Sequence, residues 1–572
     1  MTIEVPSSPL VDRPSFGALF VPKLFSVLRE GYGLAAFRAD AMAGLTVAIV
    51  ALPLSMAIAI ASGAAPERGL YTAIVGGFLI SALGGSRFQV GGPAGAFIVL
   101  VAAAVARHGI DGVLLATMMA GVFLMAAGFL RLGDFIKFIP YPVTVGFTAG
   151  IAVIIFASQL KDLFGLTLEG KEPGEFIAKL EALAPAFDTV NPATVGLALL
   201  TIGFIAGLRK LRPHWPGMLV AVVAASVATW AFGLPVETIG TRFGGIPSML
   251  PAPSLPDITF AKMQAVLPDA VAFALLGAIE SLLSAVVADG MTGRRHRSNC
   301  ELVAQGVANI GSALFGGLCA TGTIARTATN VRAGARSPVA GMLHSLFLLG
   351  FMLLAAPLAA YIPLAALAGV LTIVAWNMAE KHELVILLRS SRGDAVVLLA
   401  TFLLTVFRDL TEGIVVGFSL GALLFIHRMA TTTGIQEHAP RVPADQADTH
   451  LPYDPTLATD PQVVVYRISG AFFFGTASTV GAVLDRIADE RKAFVLDFSA
   501  VPFVDSTAAN VIAGIGRKAR RHGVRVYITG AMPGVRRMLL QAGARRPQVR
   551  YLPRIDDAVR AAHEATPEAV AR

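Results

Sequence analysis

The chain of 572 residues is 55% hydrophobic and only 15% charged, with a mean hydropathy of +0.68. In soluble domains about a quarter of the residues are charged, so this composition excludes an ordinary soluble protein and indicates many membrane-spanning segments. The net charge of +8 fits the retention of Lys and Arg on the cytoplasmic side of a membrane, and we expect no nucleic-acid partner. The two cysteines, Cys300 and Cys319, suggest neither a disulfide framework nor a metal site.

Long uncharged stretches follow an N-terminal segment, residues 1–39, that lacks the layout of a signal peptide. About 20 apolar residues cross the hydrocarbon core of a bilayer, and on this basis residues 40–430 form an all-α polytopic membrane domain. The uncharged stretch 337–379 is too long for one span and divides in two near Pro363. The fourteen predicted spans lie at 41–66, 69–86, 88–106, 112–130, 138–160, 189–208, 215–236, 265–288, 302–325, 325–335, the two halves of 337–379, 395–407 and 413–426.

The charges in the loops indicate the orientation of these spans. If the N-terminus is cytoplasmic, the basic loops at 209–214, 289–301 and 332–336 also fall on the cytoplasmic side. The loop at 161–190, in which acidic residues outnumber lysines, then falls outside. This distribution is the positive-inside pattern. It predicts a multi-pass protein of the inner (cytoplasmic) membrane whose N- and C-termini are both cytoplasmic, because the number of spans is even.

Two halves of the membrane domain share landmarks in the same order. Residues 81–85 read SALGG and 312–317 read SALFGG, while 139–146 read IPYPVTVG and 362–369 read IPLAALAG. Seven spans separate each element from its partner, so the two halves would have opposite orientations in the membrane. Coincidence between short apolar motifs is the alternative. We favour a 7+7 inverted repeat, an arrangement that places the binding site of a transporter near the midplane, at broken helices.

The landmarks lead into two segments that resemble broken helices. In the first, Gly91, Gly92 and Pro93 precede a helix that begins near Ala94. The second reads ATGTIAR at 320–326, and the shared landmark places Ala94 and Gly95 opposite Ala325 and Arg326. Two opposed helix N-termini offer free N–H groups and positive dipole ends to an anion. Arg326 would add a full charge there, although an arginine near the end of a span can also extend to the membrane surface.

Glu280 is the clearest ionisable residue within a predicted span, in the segment LLGAIESLLSAVVADG. Burial of a carboxylate in the membrane is costly, so a functional role is the first interpretation. Glu280 could accept a coupling proton, or it could help to bind a sodium ion with nearby hydroxyl and carbonyl groups. An interhelical hydrogen bond or salt bridge that fixes packing is the structural alternative.

The chain resembles the SulP (sulfate permease) anion transporters over nearly its whole length. The resemblance is carried by AGLTVAIVALPLSMAIAIASGAAPERGLYTA at 43–73 and continues through QVGGPAGAF, IPYPVTVGFTAGIA, ATGTIARTATN and IPLAALAGVL. It implies fourteen spans in two inverted repeats, core and gate domains, half-helices in spans 3 and 10, a homodimer and elevator-like movement of the core. One departure from the family is that the predicted first span, 41–66, contains no acidic residue.

The resemblance also implies which residues bind the substrate. Those carried over by motif are Ala94, Gly95 and Ala96 on one half-helix and Thr323, Ala325 and Arg326 on the other. Glu280 matches the acidic position of the eighth helix.

A soluble α/β pattern begins near Pro461, after a polar linker at 431–460. Strands are predicted at Val463–Ser469, Ala493–Ser499 and 524–530, and helices at 476–491 and 506–521. The segment VLDFSAVPFVDSTAAN resembles the STAS domain that accompanies this family, so residues 461–572 are expected to form a small α/β cytoplasmic STAS domain. Ser506 and Thr507 occupy the position of a regulatory phosphorylation site in related antagonist proteins, whereas helix capping by Asp505 or Ser506 is the simpler interpretation.

These observations favour secondary active transport of a small anion, most simply sulfate, coupled to H⁺ or Na⁺. Bicarbonate and C4-dicarboxylates are alternatives within the same family, and a nucleobase permease or a passive anion channel are further alternatives. A membrane-anchored STAS signalling protein without transport belongs to a different class. No catalytic triad, metal cluster or phosphate-binding loop is present in the sequence, so we expect neither an enzyme nor a cofactor. The expected partners are the anion, the coupling ion, the lipid bilayer and a second copy of the chain.

Overall fold

The computed structural model describes residues 16–134, 140–168, 170, 172–173, 175–212, 215–408, 410–432, 463–470, 472 and 493–564. The first two residues of the predicted linker, 431–432, belong to a helix. The rest of the linker, 433–460, and the predicted helix at 476–491 lie outside the described residues. The chain divides into two compact units, Met1–Ile136 with Ile154–Trp376 and Lys137–Val153 with Asn377–Arg572.

The first span begins earlier than the predicted 41–66 and ends before residue 66. After α1 (Phe16–Leu19) and α2 (Lys23–Gly31), helix α3 extends over Leu34–Ala61. It therefore includes one acidic residue, Asp40, which is fully buried. Asp40 accepts hydrogen bonds from the backbone N–H groups of Arg336 and Ser337, at 2.6 and 3.1 Å. These bonds stabilise a buried carboxylate inside the helix, at its seventh residue, so a boundary drawn after this charged residue does not mark where the helix begins.

The second to fourth spans are interrupted in three ways. Helix α4 (Pro66–Tyr71) continues through a π-helical turn, Thr72–Gly76, into α5 (Gly77–Leu83). An extended segment follows with the short strand β1 (Gly91–Gly92) and a 3₁₀ turn, Gly95–Phe97, before α6 (Ile98–Phe129). Within α6, Gly109 has φ +66° and ψ −175°, which breaks the helix between the two predicted spans at 88–106 and 112–130.

Helices α7 to α11 follow the first broken segment. One close approach and one cap are notable in this part. Helix α7 approaches the later helix Arg392–Phe407 at Gly146, where a Cβ would lie 2.5 Å from the carbonyl oxygen of Leu398. Asn191 caps α9 by accepting hydrogen bonds from the backbone N–H groups of Ala193 and Thr194. The bounds are α7 (Tyr141–Phe164), α8 (Phe176–Leu183), α9 (Pro192–Leu211), α10 (Gly217–Phe232) and α11 (Ile239–Phe243).

The second half contains the counterpart of the broken segment. Helix α13 ends at Leu314, and the short strand β2 (Thr321–Gly322) leads into a separate short helix. The predicted division of 337–379 is confirmed, because one helix ends at Ala359 and the next begins at Leu364. The bounds are α12 (Phe260–Thr292), α13 (Ser298–Leu314), α14 (Ile324–Arg332), α15 (Val339–Ala359), α16 (Leu364–Met378), α17 (Lys381–Ser390), α18 (Arg392–Phe407) and α19 (Leu410–Thr432).

Seven of the described helices are long and apolar enough to cross a membrane, and two shorter apolar helices lie at Gly217–Phe232 and Glu412–Phe425. Prolines occur inside three of the long helices, at Pro53, Pro268 and Pro357. Such prolines are tolerated in membrane helices, where neighbouring groups satisfy the freed carbonyls. The protein thus has a mostly helical membrane domain, and the total of fourteen spans stays a prediction.

The C-terminal part has a parallel four-stranded sheet in the order β3-β4-β5-β6. The predicted strand Val463–Ser469 and helix 506–521 are confirmed with the same bounds. Two helices, α20 and α21, cover one face of the sheet, and α22 covers the other. The bounds are β3 (Val463–Ser469), β4 (Ala493–Ala500), α20 (Ser506–Arg521), β5 (Arg525–Thr529), α21 (Pro533–Gln541), β6 (Arg550–Leu552) and α22 (Ile555–Glu564).

Candidate functional site

The two broken segments meet through their backbones. Strands β1 and β2 pair antiparallel, with Gly91 opposite Gly322 and Gly92 opposite Thr321. The backbone N–H of Thr323 donates a further hydrogen bond to the carbonyl oxygen of Val90, at 3.1 Å. Two segments that sequence reasoning matched by landmarks alone are therefore in direct contact and have opposite directions.

Each segment continues into a helical turn that lacks a side-chain cap. Ala94 precedes the 3₁₀ turn and Thr323 precedes α14, and neither side chain accepts a hydrogen bond from the turn that follows. The first N–H groups of a helix have no partner within the helix. The turns that contain Gly95 and Ala96 on one side and Ala325 and Arg326 on the other therefore carry N–H groups suited to an anion.

The side chain of Arg326 lies inside the protein, with only 2% of its surface exposed. Its guanidinium donates hydrogen bonds to the carbonyl oxygens of Gly91 (3.4 Å) and Pro93 (3.3 Å) and to Oγ of Ser55 on α3 (3.0 Å). Its Nε has no hydrogen-bond partner among the described residues. This position contradicts the alternative in which Arg326 extends to the membrane surface.

The approach of Arg326 requires a glycine in the opposite segment. Gly92 has φ +154°, and a Cβ at this position would lie 2.0 Å from Nη1 of Arg326. Such a separation is far below van der Waals contact, so any side chain here would displace the guanidinium or the backbone. The glycine in the motif at 91–93 therefore makes room for the arginine of the other half.

Glu280 lies on α12 and is 6% exposed. Its neighbours along the chain contact both broken segments. The carbonyl oxygen of Gly277, three residues before Glu280, accepts from Oγ1 of Thr321 (3.2 Å), and Oγ of Ser281, the residue after Glu280, accepts from Nε2 of Gln89 (2.9 Å). The turn of α12 that carries Glu280 is thus adjacent to the meeting point of the half-helices.

A further polar contact joins the same helix to the site. Oγ of Ser284 donates to Oγ1 of Thr327, at 2.9 Å, and that same oxygen accepts from the backbone N–H of Val90, at 3.1 Å. Thr327 lies one residue after Arg326 and so connects α12, α14 and the segment before β1. The sequence reasoning did not identify these hydroxyl residues, and the two serines three residues apart beside Glu280, Ser281 and Ser284, were the available signal.

Helix α13 carries a row of polar residues that was also missed. The carboxylate of Glu301 accepts from the backbone N–H groups of Gly85 (2.8 Å) and Ser86 (3.1 Å) and from Nε2 of Gln305 (3.1 Å). Two turns further, Oδ1 of Asn309 accepts from the backbone N–H of Ala320 (2.9 Å) and its Nδ2 donates to the carbonyl oxygen of Ala320 (2.8 Å). One helix thereby holds the approaches to both broken segments. The spacing i, i+4, i+8 was the available signal.

The predicted regulatory residues lie in the other unit, at the start of α20. Oδ1 of Asp505 accepts from the backbone N–H of Ala508, at 2.8 Å, and so caps the helix. Ser506 is 4% exposed, and Thr507 is half-buried. Among the residues that the structure describes, no group of three His, Cys, Asp or Glu side chains could hold a metal ion.

The structure thus pairs the two segments that lead into the six predicted substrate-binding residues, and Glu280 lies on a helix that contacts both segments. A model of the sulfate permease family matches residues 37–401, and a model of the STAS domain matches residues 454–560. The chain belongs to the sulfate permease family. Membership makes the protein a membrane-embedded anion transporter rather than an enzyme.

Relatives of the protein cover most of its length. A Bacillus subtilis protein named "Putative sulfate transporter YvdB" is 40% identical over 91% of this chain and 96% of its own. The bicarbonate transporter BicA of Picosynechococcus is 32% identical over 88% of this chain and 90% of its own. Two different substrates therefore appear in the names of its relatives.

Two solved structures are similar to this fold. The transmembrane domain of a cyanobacterial BicA has a TM-score of 0.61 and 35% identity, and the match covers 67% of this chain and 98% of that one. The murine anion transporter Slc26a9 in the inward-facing state has a TM-score of 0.65 over 98% of this chain and 97% of its own. At 18% identity, the second likeness concerns the fold alone.

Proposed function

We propose that this protein is a secondary active transporter that carries sulfate across the inner membrane, with both termini in the cytoplasm. The observation that carries the proposal is the meeting of two uncapped half-helices around the buried Arg326. An anion that leaves water needs compensating donors, and fixed N–H groups with one guanidinium supply them without a resident counter-ion. Ala94, Gly95 and Ala96 would bind it from one side, and Thr323, Ala325 and Arg326 from the other.

Bicarbonate is the second candidate substrate. It is favoured by the BicA relatives, at 32 and 33% identity, and by the similarity to the BicA transmembrane domain. Both anions are small, oxygen-rich and planar or tetrahedral, so backbone N–H groups can bind either. Discrimination between sulfate and bicarbonate would depend on how closely the two half-helices approach each other. A C4-dicarboxylate would need a longer cavity.

We assign to Glu280 the role of coupling anion transport to the movement of H⁺ or Na⁺. Glu280 lies in the turn of α12 whose neighbouring residues contact Gln89 and Thr321 in the two broken segments, so a cation bound there would change the electrostatic potential at the anion site. Elevator-like movement is supported by α12 and α13, which hold both half-helices and would move with them as one body. The antiparallel pairing of β1 and β2 favours the 7+7 inverted repeat and hence fourteen spans divided into core and gate domains. A homodimer follows from the family resemblance.

Uptake into proteoliposomes tests this proposal. Radiolabelled sulfate, bicarbonate and succinate would each be offered with an imposed proton or sodium gradient. Accumulation of one anion above its equilibrium level identifies the substrate and the coupling ion. Equilibration without accumulation would indicate a passive conductance. If folded and oriented protein transports none of the three, a STAS signalling protein without transport becomes the better interpretation.

Variants of Arg326 link flux to this site. Arg326→Ala removes hydrogen bonds to a charged group, each worth about 1.5–3 kcal/mol, so anion affinity should fall by roughly 10- to 150-fold. Arg332→Ala is the matched control, since Arg332 ends the same helix and is exposed. Equal anion affinity in both variants would remove Arg326 from the site.

Glu280→Gln should abolish gradient-driven accumulation of the anion while leaving exchange of anions. If anion uptake by this variant keeps its dependence on the proton and sodium gradients, Glu280 has no role in coupling.

A further inference from the structure

The C-terminal unit contains a long segment without acidic residues. Between Ser506 and Arg554 the sequence has ten arginines, one lysine and neither Asp nor Glu. Such a bias is far from the even mixture of both signs that is usual on a soluble surface. The basic residues are Arg517, Lys518, Arg520, Arg521, Arg525, Arg536, Arg537, Arg545, Arg546, Arg550 and Arg554.

The fold concentrates this charge on one side of the sheet. Helices α20 and α21 pack on the face formed by alternate strand residues such as Phe494 and Ile528. Helix α22 packs on the opposite face, against Val495 and Tyr527, and begins with acidic residues. The outer side of α20 and α21 forms what we call the basic face, whose exposed members are Arg517, Arg520, Arg521, Arg536 and Arg537.

No ion pair in the described part of this unit includes an arginine of the basic face. Among the described residues of this unit, the ion pairs join Arg408 to Glu412, Arg467 to Asp497 and Arg560 to Asp557, all away from α20 and α21. The guanidinium of Arg536 instead lies over the ring of Tyr551, 5.2 Å from its centroid, which leaves its N–H groups available.

Apolar side chains are interspersed with these charges. Met532, which precedes α21, is 49% exposed, and Leu540, in the last turn of α21, is 38% exposed. Leu540 also lines a shallow depression with Arg536 and Arg537. Arginines that alternate with exposed aliphatic side chains are typical of a surface that contacts the headgroup region of a membrane, where both chemistries are satisfied.

The position of α21 in its unit favours a membrane as the partner. Helix α21 contacts α17. Helix α17 follows α16 after a break at Glu380 (φ +38°), and both belong to the segment Leu364–Ser390, which is long and apolar enough to cross the bilayer. A surface next to the end of a spanning segment lies at the level of the lipid headgroups. Charges there act within about one Debye length, roughly 8–10 Å at physiological salt.

We propose that the basic face of α20 and α21 binds the phosphate groups of anionic lipids in the adjacent leaflet. Each exposed arginine offers the planar pair of N–H donors that fits a phosphate oxygen pair. The interaction would hold the STAS domain against the bilayer in proportion to the content of anionic lipid. It does not depend on which anion the membrane domain carries.

Energy transfer in nanodiscs tests the proposal on the full-length chain. Cys300 and Cys319 are buried, so a single dye can be attached through Gln541→Cys, at the exposed end of α21. An acceptor would be carried on lipid headgroups, in discs of phosphatidylcholine with increasing phosphatidylglycerol. Transfer should rise with phosphatidylglycerol and fall at high salt.

Single charge reversals on the two faces provide the control. Arg537→Glu changes the charge of the basic face by two units. Each charge near the membrane surface changes the binding equilibrium about fivefold, so the ratio of docked to undocked domain should fall about thirtyfold. Arg560→Glu makes the same change on α22 and should have little effect, while Arg537→Lys should stay close to the parent and so test whether the fold tolerates substitution.

Three results would overturn the proposal. Transfer that is equal in phosphatidylcholine and phosphatidylglycerol would show that the face does not recognise anionic lipid. An equal loss in Arg537→Glu and Arg560→Glu would assign the attraction to net charge rather than to this face. Salt-sensitive capture of an acidic protein, with no response to lipid composition, would assign the face to a protein partner.

Discussion

Asn309 provides the most direct test of how the broken segments are held. It makes two hydrogen bonds with one residue, accepting from the N–H of Ala320 and donating to its carbonyl oxygen. Ala320 is fully buried and immediately precedes β2. Asn309→Leu keeps the size of the side chain and removes both bonds, so two buried backbone groups lose their partner.

The size of the effect follows from those two groups. A buried donor or acceptor left without a partner costs about 1–3 kcal/mol, so Asn309→Leu should lower the free energy of unfolding by about 2–6 kcal/mol. The backbone of Ala320 would also shift, since it must find other partners. Because Thr323 follows three residues later and immediately precedes α14, the shift should weaken anion binding as well as stability.

Chemical unfolding in mild detergent and equilibrium anion binding measure the two effects on the same preparation. Val307→Leu is the matched control, since Val307 lies on the same helix, is half-buried and has no polar side chain. Stability within about 0.5 kcal/mol of the parent, with unchanged anion affinity, would refute the argument that Asn309 positions the second half-helix. A loss of stability without a loss of affinity would confine its role to packing.

Three further predictions follow from individual contacts. Gly92→Ala places a Cβ 2.0 Å from Nη1 of Arg326, so anion binding should be lost in protein that still elutes as a folded species, and retained binding would contradict the described approach. Asp505→Ala removes the cap of α20 and should destabilise the STAS domain by about 1 kcal/mol in a denaturant titration, whereas no change would show that the cap is dispensable. Burial raises the pKa of Tyr551, whose hydroxyl donates to the carbonyl oxygen of Ala544, to about 12. Since the unfolded phenol titrates near pH 10, the stability that Tyr551 contributes is present below about pH 10 and is lost as the pH rises to about 12. Tyr551→Phe should remove this loss of stability at high pH. An identical pH profile of unfolding in the variant and the parent would argue against this role.

Much of the fold was predictable because apolar runs and charged loops mark where helices begin and end. The strand Val463–Ser469 and the helix at 506–521 have their predicted bounds. The start of α3 was not predictable, because Asp40 is buried by partners 296 and 297 residues away. A single sequence carries no record of contacts at that separation.

The candidate site was predictable in outline and not in its supports. Landmarks shared between the halves placed Arg326 opposite the segment at 91–95, and the pairing of β1 with β2 brings these parts together. The spacing of Glu301 and Asn309 is a signal, but it did not identify them as supports of the site, since polar residues four apart on a helix are equally typical of a solvated face. Their role becomes visible only when their side chains are seen to bond the backbone of Gly85 and Ala320.

The pairing of Val90 with Thr323 has a consequence for how the protein is made. The two residues are 233 positions apart, an interval of roughly 12–47 s at a synthesis rate of about 5–20 residues per second. Throughout that time the extended backbone before the first half-helix is already in the membrane while its partner strand has yet to be translated. Unpaired backbone groups are poorly tolerated in hydrocarbon, so the first half must be sheltered by the insertion machinery or by its own helices until the second half arrives. Biogenesis, rather than the stability of the finished protein, would then limit how much variation the segment at 91–93 can accept.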